Sequence, residues 1–224
     1  MRERPGMYIG KLGDGSEPDD GIYVLLKEVI DNSIDEFMRG YGRNIEVTIK
    51  DSQVSVRDYG RGMPLGKVID CVARINTGGK FDDQAYDTAI GMNGVGVKAV
   101  NALSTMFFVS SVVNGKKKSA RFSAGEIVED FPICETDEHN GTFIAFLPDD
   151  KLFENFHWYG EHVERLLWNY AYLNRGLTIN FNGKNPAGLL WAHVMNNVHS
   201  NLANAKFEEP KKGVTTATVC SESH

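Results

Sequence analysis

The sequence predicts an α+β fold, a mixed and mostly antiparallel sheet with helices packed on one face. Three observations predict it. A long amphipathic helical pattern runs directly into an alternating strand pair, a second strand pair surrounds the turn at Asn114 and Gly115, and a later helix opens from a glycine-rich segment. Helices and hairpins in this order form layered α+β domains. The 224 residues, 42% of them hydrophobic, suffice for one compact domain.

The first predicted element is a helix at residues 22–37, with Asp19 or Asp20 as its cap. At about 100° per residue, Glu28, Asn32 and Asp35 fall on one polar flank. The opposite flank is apolar and predicts the side that faces the core: Ile22, Leu26, Val29, Ile30, Ser33 and Phe37.

The following elements are justified by alternation and turn residues. Strands at 45–50 and 53–57 alternate apolar and polar residues, which predicts a hairpin with one buried face. A turn-rich loop, a short helix, a long glycine- and aspartate-rich loop and a helix come next, at 58–64, 65–75, 77–93 and 97–103. The remaining predicted elements are strands at 107–113, 117–123, 142–147 and 177–181 and a helix at 153–173.

The character of the chain changes after residue 184. A break at 185–188 precedes a helical stripe of apolar residues, and a polar tail begins at residue 208. The sequence therefore predicts one domain at residues 1–184 and a C-terminal helix with a polar tail at 185–224.

Composition restricts the function classes. A net charge of -6 argues against a surface built to clamp nucleic acid, so any role with DNA is expected to be indirect. No apolar window is long enough for a membrane span, and the start lacks the apolar run of a signal peptide. The three cysteines are far apart, which speaks against a disulfide framework and predicts a cytoplasmic protein.

Glu28 and Asn32 lie one turn apart on the same helix face. A carboxylate there can hold and polarise a water, and a carboxamide oxygen one turn on can bind Mg²⁺ that already carries phosphate oxygens. Taken alone, the pair also fits an ordinary solvated polar stripe.

Asp58 closes a predicted strand and precedes two glycines, Gly60 and Gly62. A partly buried carboxylate can accept a hydrogen bond from the amino group of adenine, while the glycines allow the base close to the backbone. Thr142, at a strand start, can add a second adenine contact through its hydroxyl. An ordinary turn and a β-favouring threonine remain the alternatives.

Gly91, Gly94 and Gly96 precede an apolar helix, so their backbone N–H groups and the helix start can cradle phosphate. Lys80 can reach a terminal phosphate. The segment has neither a Walker pattern nor the βαβ setting of a dinucleotide-binding loop. A flexible loop with an exposed lysine is the alternative.

Five motifs together resemble the ATPase domain of bacterial type IIA topoisomerases, the B subunits of DNA gyrase and topoisomerase IV. The resemblance runs from Arg4 to about Lys184. The motifs are RPGMYIG at 4–10, EVIDNSIDE at 28–36, DYGRGMP at 58–64, GGKF at 78–81 and GMNGVGVKAVNALS at 91–104.

This resemblance implies a Bergerat-type two-layer α/β sandwich that binds ATP and Mg²⁺. Glu28 would be the general base, Asn32 the magnesium ligand, and Asp58 and Thr142 the adenine contacts, with Gly62 beside them. Tyr86 and Lys80 would approach the nucleotide. A lid would hold the phosphates through Gly91, Asn93, Gly94, Val95, Gly96 and Val97. An outer rim that binds aminocoumarin-like inhibitors would comprise Glu36, Arg61, Met63 and Pro64.

The resemblance also implies partners. In the full enzyme, ATP closes a homodimer of B subunits around DNA, and an A-type subunit cuts the DNA. The chain departs from the family at Val24, where a histidine is frequent, and at Ser119, where an arginine is frequent. The N-terminal arm and second domain are missing, so slow turnover is expected. A histidine-kinase-type ATP-binding domain and a binding-only regulatory module remain alternative interpretations.

Overall fold

The structure is a computed structural model that describes residues 1–74 and 95–185. In that part of the chain, the helices are α1 (Gly6–Ile9), α2 (Gly21–Met38), α3 (Val68–Ala73), α4 (Gly96–Ala102) and α5 (Gly160–Leu173), with a 3-10 turn at Leu65–Lys67. The strands are β1 (Asn44–Lys50), β2 (Gln53–Asp58), β3 (Ser104–Val113), β4 (Lys116–Ser123), β5 (Glu126–Asp130), β6 (Cys134–Glu135), β7 (Gly141–Pro148) and β8 (Thr178–Phe181).

The eight strands of the described residues form a mixed sheet in the order β5-β4-β3-β7-β2-β1-β8, with β6 paired to β4. Among these strands, every pairing is antiparallel except that of β1 with β8, which is parallel. The predicted α+β fold is therefore confirmed. The topology brings β7, late in the chain, between β2 and β3, so residues near 58 and 142 share one end of the sheet.

The core lies between α2 and the sheet. The apolar flank of α2 is almost fully buried, and the buried positions of β2 alternate at Val54, Val56 and Asp58. Phe107, Phe122, Phe146 and Phe153 are among the largest side chains buried there. Burial of each such side chain stabilises the fold by about 1.5–3 kcal/mol. This packing holds α2 against β2 and β7 and so fixes the polar flank of α2 beside the ends of these strands.

The structure corrects the predicted helix at 153–173, which begins only at Gly160. The preceding residues form turns that place Phe153 fully in the core, and the indole Nε1 of Trp158 donates to the carbonyl of Ser52 at 3.0 Å. Aromatic packing outweighs helical periodicity in this stretch. The predictions also omitted α1, β5 and β6.

Asp20 occupies the N-cap position of α2 but makes no capping hydrogen bond. Its Oδ2 instead accepts the backbone N–H groups of Gly15 and Glu17, at 2.9 and 3.1 Å, so it folds the preceding loop. The predicted helix at 65–75 divides into the 3-10 turn and α3. The predicted loop at 77–93 and the segment from 186 onward lie outside the described residues, and the domain boundary at 184/185 stays a prediction. Among the described helices, none has the length and apolar character to cross a membrane.

Candidate functional site

A cleft lies between α2 and the ends of β2 and β7. Its open space, including the mouth, is about 740 Å³. It is lined by Val29, Asn32, Ser33, Asp35, Glu36, Arg39, Val56, Asp58, Gly62, Met63, Pro64, Cys71, Val97, Thr142 and Ile144. The structure thus brings seven of the sequence-predicted site residues besides Asp58 into one cavity: Asn32, Glu36, Gly62, Met63, Pro64, Val97 and Thr142.

Asp58 is the most buried carboxylate in the lining of this cleft, with 7% of its surface exposed. Its Oδ1 accepts the backbone N–H groups of Gly60 at 2.9 Å and Thr142 at 3.1 Å. Its Oδ2 has a longer contact with the hydroxyl of Ser33, 3.4 Å. Burial raises the pKa of Asp58, against the lowering effect of the two backbone donors. The second oxygen therefore remains available to accept a hydrogen bond from a ligand.

Gly141 makes this geometry possible. Its φ is +139°, and a Cβ there would lie 2.1 Å from the carbonyl oxygen of Asp58. Only glycine allows β7 to start so close to the end of β2, which brings the amide of Thr142 to the carboxylate.

Gly62 has a similar constraint at the outer edge of the cleft. Its φ is +79°, and a Cβ would meet the carbonyl oxygen of Val112 at 2.6 Å. The next residue, Met63, is fixed to β3 by Ser111, whose hydroxyl accepts the amide of Met63 at 2.7 Å and donates to its carbonyl at 2.8 Å. The loop between β2 and α3 is thereby fastened along the cleft wall.

Arg61 and Glu36 form a bidentate ion pair across the outer side of the cleft. Arg61 Nε donates to Oε2 at 3.0 Å and Nη2 to Oε1 at 2.8 Å, and its guanidinium lies 4.4 Å from the ring centre of Tyr41. Although burial works in the opposite direction, the hydrogen bonds of Arg61 keep the pKa of Glu36 below its ordinary value. Glu36 lines the cleft, while Arg61 lies behind it and orients it.

At the other end, Asn32 and Glu28 lie one turn apart on α2, as predicted. The Nδ2 group of Asn32 donates to the backbone carbonyl of Glu28 at 2.8 Å, so Oδ1 would be the atom of Asn32 that binds a metal ion. Burial, followed by the charge of Asp31, raises the pKa of Glu28. A half-buried carboxylate with a raised pKa is suited to take a proton from water.

Asp31, the other carboxylate on this part of α2, is already engaged. It accepts hydrogen bonds from the hydroxyl of Tyr170 on α5 and from Lys27 Nζ. Because both oxygens of Asp31 already accept hydrogen bonds, Glu28 is the better candidate for a base on this part of α2.

Gly96 opens α4 directly against Glu28, and Val97 lines the cleft. Val95 is the residue before the helix. The remaining predicted phosphate-end residues lie outside the described residues: Lys80, Tyr86, Gly91, Asn93 and Gly94.

The two departures from the family pattern have ordinary surroundings. Val24 packs partly buried against the core, and the hydroxyl of Ser119 donates to the hydroxyl of Ser110 at 3.1 Å. Sequence reasoning missed Ser111 and Cys71 as neighbours of the cleft. No spacing signal identifies Ser111, because its partner Met63 lies 48 positions away. Burial raises the pKa of the Cys71 thiol, which stays protonated.

Comparisons with known proteins identify relatives of this chain. The B subunit of DNA topoisomerase 4 from Borreliella burgdorferi is 52% identical over 182 residues, which cover 81% of this chain and 30% of that protein. The B subunit of DNA gyrase from Campylobacter jejuni is 36% identical over 190 residues, which cover 81% of this chain and 24% of that protein. The chain therefore spans less than a third of the length of these relatives.

The fold has a match among solved structures. The 43K ATPase domain of Thermus thermophilus gyrase B, in complex with an aminocoumarin, superposes with a TM-score of 0.69 and 30% identity, covering 82% of this chain and 49% of that one. A family profile described as "Histidine kinase-, DNA gyrase B-, and HSP90-like ATPase" matches residues 18–151. Since this match spans more than half of the sequence, the chain belongs to the histidine kinase-, DNA gyrase B- and HSP90-like ATPase family.

Proposed function

We propose that this chain is the ATP-binding and hydrolysing domain of a bacterial type II DNA topoisomerase, from the B subunit of a gyrase or a topoisomerase IV. The observation that carries the proposal is that polar groups suited to a purine and to phosphate lie along the same cleft and along α2. Asp58 is a buried acceptor in the cleft lining, and Asn32 lines the same cleft. Glu28 lies one turn from Asn32 on α2, next to the lining, and we assign Asn32 as the metal ligand and Glu28 as the base.

The purine end favours adenine. Asp58 Oδ2 can accept the amino group of adenine, and Val29, Val56 and Ile144 give apolar contact with the ring faces. Guanine carries a carbonyl at the corresponding position, which would face a buried acceptor without a proton between them. Such unpaired buried polar groups cost about 1–3 kcal/mol.

The phosphate end supports hydrolysis. Asn32 Oδ1 fits Mg²⁺ because this ion usually takes one or two protein ligands and keeps waters and phosphate oxygens for the rest. The described residues contain no cluster of three or more His, Cys, Asp or Glu side chains that could hold a metal by themselves. When bound, the ion would neutralise charge on the phosphates. Glu28 would orient the attacking water and take its proton.

The rim accounts for the proposed inhibitor class. Glu36, Met63 and Pro64 line the outer side of the cleft, and Arg61 orients Glu36. An aminocoumarin occupies the related gyrase B domain, and we extend that ligand class to this rim. We further propose that, in the whole protein, ATP closes a homodimer of B subunits around DNA. An A-type subunit would cut the DNA, and the enzyme would act in the cytoplasm.

The test is Glu28→Gln, which keeps the shape of the side chain but removes the base. The variant should bind ATP with unchanged affinity and release labelled phosphate about 10²–10⁴-fold more slowly. Glu164→Gln, an exposed glutamate on α5, is the matched control and should behave as wild type. Normal hydrolysis by Glu28→Gln would refute the assignment of the base.

The location of the labelled phosphate distinguishes an ATPase from a histidine-kinase-type domain and from a binding-only module. Release as free phosphate supports an ATPase, whereas stable label on protein supports a histidine-kinase-type reaction. Binding without any release in the wild-type chain supports a regulatory module.

A further inference from the structure

Gly96 and Glu28 make an unusually close contact between α4 and α2. A Cβ placed on Gly96 would lie 1.8 Å from Glu28 Oε2 and 2.7 Å from its Cδ. Both distances are far below van der Waals contact. The carboxylate of Glu28 therefore fills the space that any side chain at position 96 would take.

The backbone of Gly96 does not itself require glycine. Its φ lies outside the left-handed region, and it is the first residue of a regular helix. An alanine there is compatible with the helix and improves its propensity. Glycine at position 96 is therefore required for steric reasons, because it leaves room for the carboxylate of Glu28, the proposed base.

We propose that Gly96 is a positioning residue for hydrolysis: its missing side chain leaves the space that the Glu28 carboxylate fills, and this contact fixes the carboxylate at the phosphate end of the cleft. The inference rests on the proposed role of Glu28 as base. It differs from the sequence-based role of Gly96, in which its backbone N–H group holds phosphate.

The atoms that a methyl group would meet belong to the far end of a flexible side chain. Gly96→Ala should therefore fold with a melting temperature equal to or above that of wild type, while the carboxylate moves aside. A base displaced by about 1 Å can lose about 100-fold in rate. The variant should show this loss in the first-order rate of phosphate release at saturating ATP, with an unchanged Kd for a non-hydrolysable ATP analogue.

Gly160 supplies a matched control. It is also the first residue of a helix, and a Cβ there would meet nothing within 4 Å. Gly160→Ala should keep the wild-type rate and affinity. A second readout needs no turnover: the ¹³C resonance of the Glu28 carboxyl, assigned with Glu28→Gln, should move in Gly96→Ala and stay in place in Gly160→Ala.

Three outcomes would overturn the inference. The first is hydrolysis by Gly96→Ala at the wild-type rate. The second is a weaker affinity for the ATP analogue with the rate preserved, which would indicate that Gly96 contacts phosphate instead. The third is failure of the variant to fold. If the wild-type chain bound no nucleotide, the proposed function would fail. In that case the Glu28 resonance still tests the contact between Gly96 and Glu28 independently of function. An unchanged resonance in Gly96→Ala would contradict that contact.

Discussion

The backbone amide of Thr142 donates a 3.1 Å hydrogen bond to Asp58 Oδ1, joining residues 84 positions apart in the chain. With the second donor at Gly60, this bond holds one oxygen of the carboxylate and turns the other toward Ser33 and the cleft. The start of β7 thus orients the carboxylate at the end of β2 toward the cleft. This relationship underlies the first two predictions.

Asp58→Asn should raise the stability of the fold at neutral pH. Burial raises the pKa of Asp58, because the ionised carboxylate is less well solvated in the folded protein than in the unfolded chain. The cost of the ionised form is absent below the ordinary aspartate pKa of about 4 and grows as the pH rises through the raised folded value. The melting temperature of Asp58→Asn minus that of wild type should therefore increase from about pH 4 upward and then level off. A difference that does not change with pH would contradict this account.

Gly141→Ala should destabilise the protein by about 2–4 kcal/mol, because the new methyl group meets the carbonyl of Asp58 and the backbone is in the left-handed region. Urea unfolding measures the change. Gly66→Ala is the control, since Gly66 has open space and no positive φ, and it should cost little. An unfolding midpoint of Gly141→Ala equal to that of Gly66→Ala would show that β7 does not need this close approach.

Asn32→Ala should raise the Mg²⁺ concentration that gives half-maximal hydrolysis by about 10–100-fold, since it removes the oxygen that we assign to the ion. Asn32→Asp keeps an oxygen at this position and should lose less. A magnesium titration of phosphate release from each variant measures this. If Asn32→Ala and wild type had the same magnesium dependence, the ion would have another ligand.

Arg61→Ala should cost about 1–3 kcal/mol of stability, because it leaves the half-buried Glu36 carboxylate without its bidentate partner. Arg61→Lys should not restore the loss, since an ammonium group cannot donate two parallel hydrogen bonds. Aminocoumarin affinity should fall in both variants. The exposed Arg165 on α5 provides the control, Arg165→Ala. Equal stability of Arg61→Ala and Arg165→Ala would show that this ion pair contributes nothing.

The layered fold could be predicted because local patterns determine most of it. The amphipathic period of α2 and the alternation in β1 and β2 come from neighbouring residues, and the structure confirms them. The helix prediction failed at residues 153–159 because the burial of Phe153 and the bond from Trp158 to Ser52, 106 positions away, are long-range effects.

Part of the site could also be predicted from local sequence patterns. Glu28 and Asn32 are one helical turn apart, so their common face follows from the sequence. The contacts that orient these groups could not be predicted, because they join distant segments. The amide of Thr142 at Asp58 and the close approach of Gly96 to Glu28 both depend on how the sheet and helices pack.

Calorimetry with a non-hydrolysable ATP analogue should compare the wild-type chain, Asp58→Asn and the exposed-site control Asp150→Asn. We expect wild type and Asp150→Asn to bind the analogue alike and to prefer it over the corresponding GTP analogue. Asp58→Asn should bind the ATP analogue about 10–100-fold more weakly, because it loses a charged acceptor. Undiminished affinity of Asp58→Asn, or no binding by the wild-type chain, would contradict the proposed function.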